Sequence, residues 1–218
     1  MQGSDLLIAT GREPNVASLN LEAAGIKYDR RGILVGRGLV TSNRRVYAVG
    51  DVVDDARFTH VANYHAGIVL RRALLRLPAR TNPDLYPRVT YTDPEIAHVG
   101  LSEDAARRRH GRVNVYRWPL HDNDRAQDER QTLGFVKVVT RRNGQILGAS
   151  IVGTHAGELI QTWCLALSQG MNIKAMTQWI SPYPTLSEVN RRAAFGYYAA
   201  AAASPFVRKA VKWLAKLG

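Results

Sequence analysis

Apolar positions come in short runs in the first third of the chain and at helical spacing further on. Leu6-Leu7-Ile8-Ala9 ends at Gly11, the pattern of a buried strand. Gly32-Ile33-Leu34-Val35 and Val46-Tyr47-Ala48-Val49 predict two more strands. Val61, Tyr64, Ile68 and Leu75 recur on one helical face, predicting a helix over 59–75. Pro78, Pro83 and Pro87 make 77–87 the linker. Beyond it, 88–91 alternates like a strand, and Ser102 is placed to cap a short helix ending near Gly111. Residues 113–118 and 135–139 read as strands. Asn143-Gly144 joins 135–140 to 146–152 as a hairpin, because such a pair adopts the tight turn cheaply. Helices are predicted over 156–169, 173–180 and 185–202, with the alanine run 199–203 read as helix continuation. Strands followed by clustered helices predict an α+β fold, an antiparallel sheet with helices packed on it, preceded by a partial α/β segment.

Composition narrows the classes. The 218 residues, 45% hydrophobic, suffice for a real core. No apolar run reaches the ~18 residues of a membrane span, and the first residues lack the basic and apolar regions of a signal peptide. One cysteine, Cys164, excludes an internal disulfide and a thiol-based metal site, and no metal site is expected. That usage fits a reducing compartment, the cytoplasm. Cys164 lies in Gln161-Thr162-Trp163-Cys164-Leu165, an apolar helical stretch, and is read as a buried structural thiol. The net charge of +12 is spread along the chain without aromatic-basic interleaving, so nucleic acid is not an expected partner.

Two glycine turns and one capping pattern carry candidate chemistry. In Val46-Tyr47-Ala48-Val49-Gly50-Asp51, an apolar run ends at a glycine that would let backbone approach a ligand. Asp51 then presents a carboxylate suited to sugar-like hydroxyls. A plain turn explains Gly-Asp equally well. Ala9-Thr10-Gly11-Arg12-Glu13-Pro14-Asn15 is a second such turn. In Pro182-Tyr183-Pro184-Thr185-Leu186-Ser187-Glu188, Thr185 and Glu188 have the spacing of a capping box for the last helix.

Ala-Thr-Gly-Arg-x-Pro-Asn followed by Val-x-Ala-x-Gly-Asp resembles the FAD-dependent pyridine nucleotide-disulfide oxidoreductases, the family of mercuric reductase, dihydrolipoamide dehydrogenase and glutathione reductase. The likeness continues through Phe58-Thr59-His60-Val61-Ala62, Val89-Thr90-Tyr91-Thr92-Asp93-Pro94-Glu95, Gly134-Phe135-Val136-Lys137 and Ile146-Leu147-Gly148-Ala149, covering about 5–198. It implies that Gly50 and Asp51 meet the ribityl chain of FAD. Thr59 and His60, at a helix start whose amides suit an electron-rich oxygen, would meet the flavin ring through their backbones. The His60 imidazole itself is read as a cap or a surface group. The resemblance also implies homodimerisation and NAD(P)H as co-substrate.

Departures accompany the likeness. The disulfide-reducing members carry His-Pro-Thr-x-x-Glu where this chain has Tyr183. A phenol with an ordinary pKa near ~10 is no general base near neutrality, so Tyr183 and Glu188 are expected at an acceptor site of different chemistry. A tyrosine in that region brings the mercuric reductases nearer, but the cysteine pair that ends those enzymes is not found here. No Gly-x-Gly-x-x-Gly and no Cys-x4-Cys occurs, so the chain alone is expected to be inactive, either a piece cut from a longer protein or the product of a truncated gene. The expected division is 1–83, the end of an FAD domain; 84–203, an interface domain; and 204–218, a basic amphipathic tail. The function expected is part of an FAD-dependent NAD(P)H oxidoreductase, supplying one wall of the flavin site; the alternative is a non-catalytic dimerisation module. In the tail, Val207, Ala210, Val211 and Leu214 share one helical face and Lys209, Lys212 and Lys216 another. Such a helix either rests on an acidic membrane surface or packs on its own domain.

Overall fold

The computed structural model describes residues 3–53, 56–202 and 204–216. The chain falls into two compact units, Met1–Pro83 and Asp84–Gly218.

In the first unit, Tyr28–Asp29 (β1) and Gly32–Ile33 (β2) form a short antiparallel pair, and Thr59–Ala73 forms helix α1. Val61, His65 and Ile68 are the buried residues of α1, a spacing that keeps them on one face. Ile68 joins Leu39 and Ala79 in one small core, while Leu21, Ile26, Ile33, Ala48 and Val53 form another. The strand expected at Leu6-Leu7-Ile8-Ala9 does not form, and Leu6, Leu7 and Ile8 are exposed. An apolar run signals burial, yet a strand also needs a neighbour for its amides and carbonyls, and no ladder reaches this run among the described residues. The run at Val46–Val49 likewise makes only a single bridge, Tyr47 to Val40.

The second unit is built on one five-stranded antiparallel sheet. Its strands are Arg88–Thr90 (β3), Glu95–Gly100 (β4), Val113–Pro119 (β5), Phe135–Arg141 (β6) and Ile146–Gly153 (β7), in the order β3-β4-β7-β6-β5. The hairpin β6–β7 turns at Asn143-Gly144 as the sequence predicts, with Gly144 at φ +88° and the Asn143 side chain accepting from the Gln145 amide. Glu103–His110 (α2) starts on a Ser102 cap, whose hydroxyl accepts from the Ala105 amide at 3.2 Å, and ends at Gly111. Asp124–Asp128 (α3), absent from the sequence expectation, starts on Asn123, which accepts from Ala126. The helix expected over 156–169 is two segments, Ala156–Leu159 (α4) and Gln161–Ser168 (α5), joined through Ile160 in helical conformation. That expected over 173–180 shrinks to Ala175–Gln178 (α6), because Trp179 turns extended.

The last two helices are Glu188–Ala202 (α7) and Pro205–Leu214 (α8). The start expected at Thr185 moves to Glu188 because the Thr185 hydroxyl donates to the Pro182 carbonyl at 2.8 Å, closing a local turn in place of the capping box. Residue 203 of the alanine run lies outside the described residues.

Helices clustered on one antiparallel sheet are the α+β class expected from the sequence. The main core joins Val136, Val138 and Ile151 of the sheet to Trp163 of α5 and Val189 and Ala193 of α7. A smaller core, Val139 and Leu147 under Ala106 of α2, covers other positions of the same strands. Gly134, at φ +125°, lies so close to the neighbouring strand that a Cβ would sit 1.9 Å from the Val152 carbonyl oxygen. Gly134→Ala is therefore expected to destabilise the unit by roughly 2–3 kcal/mol, combining backbone strain with forced strand displacement. Gly111→Ala is the control, because it also has positive φ but open space around it. Thermal denaturation should separate the two; equal shifts would show that the close approach is not what requires glycine at 134.

Candidate functional site

The first cluster lies in unit 1, where Gly50–Val52 makes a single tight turn leading out of Val49. Gly50 adopts φ +71°, a conformation open to glycine at little cost. A Cβ there would meet the Ala62 methyl group at 3.2 Å. The Gly50 amide donates to Nδ1 of His65 at 3.2 Å, and His65 is fully buried in the second turn of α1. The turn is thus fastened to α1 from below, and the Asp51 carboxylate is left on the exposed side. The Nδ1 of His65 must be unprotonated to accept that bond, so the ring's proton is placed on Nε2.

Two segments distant in sequence meet at Asp51. The Arg12 guanidinium approaches its carboxylate at 3.2 Å and also donates to the Arg57 carbonyl. Arg57 in turn donates to the backbone carbonyls of Arg12 and Arg31. The two glycine-turn motifs of the sequence are therefore held side by side by paired arginines. Both partners of the Arg12–Asp51 ion pair are more than half exposed, so the pair contributes little stability.

The start of α1 completes this cluster. Its first intrahelical bonds run from Val61 and Ala62 to the Phe58 carbonyl, so the Thr59 and His60 amides precede the ladder at the positive end of the helix. Thr59 and His60 are exposed, and the His60 ring stacks on Phe58 with centroids 5.2 Å apart. Gly50, Asp51, Thr59 and His60 thus belong to one local arrangement, a glycine turn packed on the first turns of a helix. The sequence reading missed His65, whose apolar helical spacing disguised a hydrogen-bonding role.

The second candidate cluster lies in unit 2. Tyr183 is 69% exposed, and its hydroxyl donates to Oδ2 of Asp124 at 2.8 Å. That hydrogen bond, together with the carboxylate's charge, raises the Tyr183 pKa above its ordinary value; desolvation, Asp128 and Glu188 act in the same direction. At neutral pH the phenol is therefore a donor with its proton in place. Glu188 is buried and accepts from Arg192 Nε at 2.8 Å. Tyr183 and Glu188 are electrostatic neighbours, but each is bonded to another partner. Asp124 lies 59 residues from Tyr183, and no local pattern in the sequence links them.

The sign of the Tyr183 shift is testable. Asp124→Asn removes the main cause and should lower the phenol's titration midpoint toward the ordinary value near ~10. The readout is phenolate absorbance against pH, each protein corrected with its Tyr183→Phe counterpart. An unmoved midpoint would show that the Asp124 bond does not govern this group.

Cys164 is half-buried against the main core, and burial pushes its thiol up to about 11. Such a thiol is almost wholly protonated at neutral pH and a poor nucleophile. No group of three or more His, Cys, Asp or Glu side chains able to hold a metal occurs among the described residues. No helix among them is long and apolar enough to cross a membrane.

The chain belongs to the pyridine nucleotide-disulphide oxidoreductase family. Residues 86–194 match the "Pyridine nucleotide-disulphide oxidoreductase, dimerisation domain", and residues 1–66 match "Pyridine nucleotide-disulphide oxidoreductase". It is 38% identical over 199 residues to a mercuric reductase of Staphylococcus aureus, covering 90% of this chain and 36% of that protein. It is 32% identical over 195 residues to dihydrolipoyl dehydrogenase 3 of Pseudomonas aeruginosa, covering 89% of this chain and 42% of the relative. Among solved structures it resembles LpdA of Mycobacterium tuberculosis, with TM-score 0.79, 28% identity, and coverage of 83% of this chain and 40% of that one. It also resembles the HOCl-induced flavoprotein disulfide reductase RclA of Escherichia coli, with TM-score 0.75, 26% identity, and coverage of 85% and 43%. The chain spans 30–36% of the length of the mercuric reductases it matches.

Proposed function

We propose that this chain is part of an FAD-dependent NAD(P)H oxidoreductase, in which 1–83 contributes one wall of the flavin site and 84–203 the interface between two copies. The observation that carries the reading is the Gly50–Asp51 turn held on α1 by His65, with the carboxylate and the helix start both exposed. These residues fit the cofactor. The glycine leaves backbone accessible, the carboxylate accepts from sugar-like hydroxyls, and the amides of Thr59 and His60 suit an electron-rich ring oxygen. When bound, the flavin would supply the hydride chemistry that side chains lack. The chain's own part is to hold it: Asp51 by its carboxylate, Thr59 and His60 by their amides, and His65 by fixing the turn that presents Asp51.

At the acceptor site Tyr183 acts as a hydrogen-bond donor kept protonated by Asp124, and Glu188, held by Arg192, is its electrostatic neighbour. This differs from the acid–base pair of the disulfide-reducing members and supports an acceptor other than an ordinary dithiol–disulfide couple. The match to the family's dimerisation domain supports homodimerisation. The single half-buried thiol fits a reducing compartment, the cytoplasm.

A second reading, a dimerisation module without chemistry, is favoured by Tyr183 at the expected base position. The two separate by visible absorption recorded across the light-scattering peak. A protein carrying this chain together with a dinucleotide-binding loop should elute as a yellow dimer with flavin bands that NAD(P)H bleaches. A colourless dimer after addition of FAD would reject the enzyme reading and leave the module.

A further inference from the structure

Helix α8, residues Pro205–Leu214, is a ten-residue element of unit 2 with no buried residue. Its start is well defined, with Ser204 before it and Pro205 in the first turn, where a missing amide costs nothing. Successive residues turn by about 100°. On that wheel Trp213, Phe206, Ala210, Leu214, Val207 and Val211 occupy one continuous arc. Arg208, Lys209, Lys212 and Lys216 occupy the opposite arc, and no acidic residue lies among 204–216. Most of the apolar side is open to solvent. Phe206 is 79% exposed, Trp213 63%, Leu214 58% and Val211 57%. Val207 and Ala210 are half-buried where α8 meets α7, so packing on its own domain accounts for part of the apolar arc and leaves the rest uncovered.

We infer that α8 is an interfacial anchor that lies in the plane of an anionic phospholipid surface. The segregation of side chains selects this occupant. A second copy of α8 brought face to face would cover the apolar arcs but leave both rows of cations on the outside with no counter-charge. A nucleic acid would engage the cations but leave the aromatic and aliphatic arc in water. An anionic bilayer surface satisfies both sides at once: acyl chains take the apolar arc and headgroup phosphates take the lysines. Phe206 and Trp213 lie together at one edge of the arc, the position in which aromatic rings prefer the headgroup boundary. The inference draws on α8 alone and is independent of the flavin reading.

The test uses the full chain and sedimentation with phosphatidylcholine vesicles made with and without phosphatidylglycerol. Wild-type protein should pellet with the mixed vesicles and remain in the supernatant with phosphatidylcholine alone. Val211→Asp/Leu214→Asp should abolish pelleting, and each of Lys209→Ala and Lys212→Ala should weaken it about fivefold at low salt. Because these four side chains are exposed, thermal denaturation of the variants should match wild type; deletion of 205–218 supplies a second variant. Equal pelleting of wild type and the double aspartate variant would overturn the inference. So would equal binding to both vesicle types. A concentration-dependent mass that the double aspartate variant removes, without vesicle binding, would also overturn it by making a second copy the occupant. Binding to duplex DNA that depends on the lysines and not on Val211 and Leu214, again without vesicle binding, would overturn it in favour of a nucleic acid.

Discussion

Trp163→Ala is expected to remove about 3–5 kcal/mol from the stability of the second unit. Trp163 is the largest fully buried side chain, and it stands where α5 meets α7 over the sheet. Its indole Nε1–H donates to Oδ1 of Asn190 at 2.7 Å, and Nδ2 of Asn190 donates to the Leu159 carbonyl at 2.9 Å. Asn190 is itself fully buried, so alanine at 163 both opens a cavity and strands a polar group away from water. Two lesser variants divide the cost. Trp163→Phe keeps most of the packing and loses the hydrogen bond, for about 1–3 kcal/mol. Asn190→Ala leaves the indole N–H and the Leu159 carbonyl unpaired, and should cost at least as much. Since a domain of this size has only about 5–15 kcal/mol in hand, Trp163→Ala should melt at least ten degrees or so below wild type. A Trp163→Ala protein melting within two or three degrees of wild type would mean that this contact does not organise the core.

Trp163 also marks where sequence reading works and where it stops. The helix around it and the hairpin at Asn143-Gly144 are local events: a turn residue or a cap acts within four positions, and the chain states it directly. Ser102 capping α2 is of the same kind. Strand β4 is less visible because its inward residues, Ala97 and Val99, are small and its neighbours include the exposed Ile96, so alternation barely registers. Leu6-Leu7-Ile8 shows the converse failure: strong apolar signal, no ladder to join. The candidate site divides likewise. The Gly50–Asp51 turn is legible from its residues, but its proposed role and that of Thr59 and His60 rest on the family resemblance, since α1 starts on Phe58 without a side-chain cap. His65 is not legible, since a histidine at an apolar helical position looks like core until its Nδ1 is found beneath the Gly50 amide. The Tyr183–Asp124 bond and the Arg12–Asp51 pair join residues far apart in sequence, and only the fold brings them together.

Asp51→Ala, made in a protein that carries this chain together with a dinucleotide-binding loop, should lower FAD affinity about 10- to 100-fold. Hydrogen bonds to a charged group are worth about 1.5–3 kcal/mol, and the cofactor would lose one or two of them. Folding should hardly change, because the carboxylate is half exposed and Arg12, which pairs with it, is more exposed still. Gly50→Val acts by another route. It forces a β-branched residue into φ +71° and drives a side chain toward Ala62, so both flavin content and melting temperature should fall. His65→Ala lies between these. The turn loses its anchor and the Gly50 amide its acceptor, so flavin affinity should fall with a smaller stability loss than at Trp163. Flavin content per chain and melting temperature, measured on the same preparations, place each variant. Asp51→Ala retaining wild-type flavin content at limiting FAD would remove Asp51 from the site and with it the observation on which the flavin reading stands. If it loses flavin while keeping its melting temperature, the carboxylate acts on the cofactor and not on the fold.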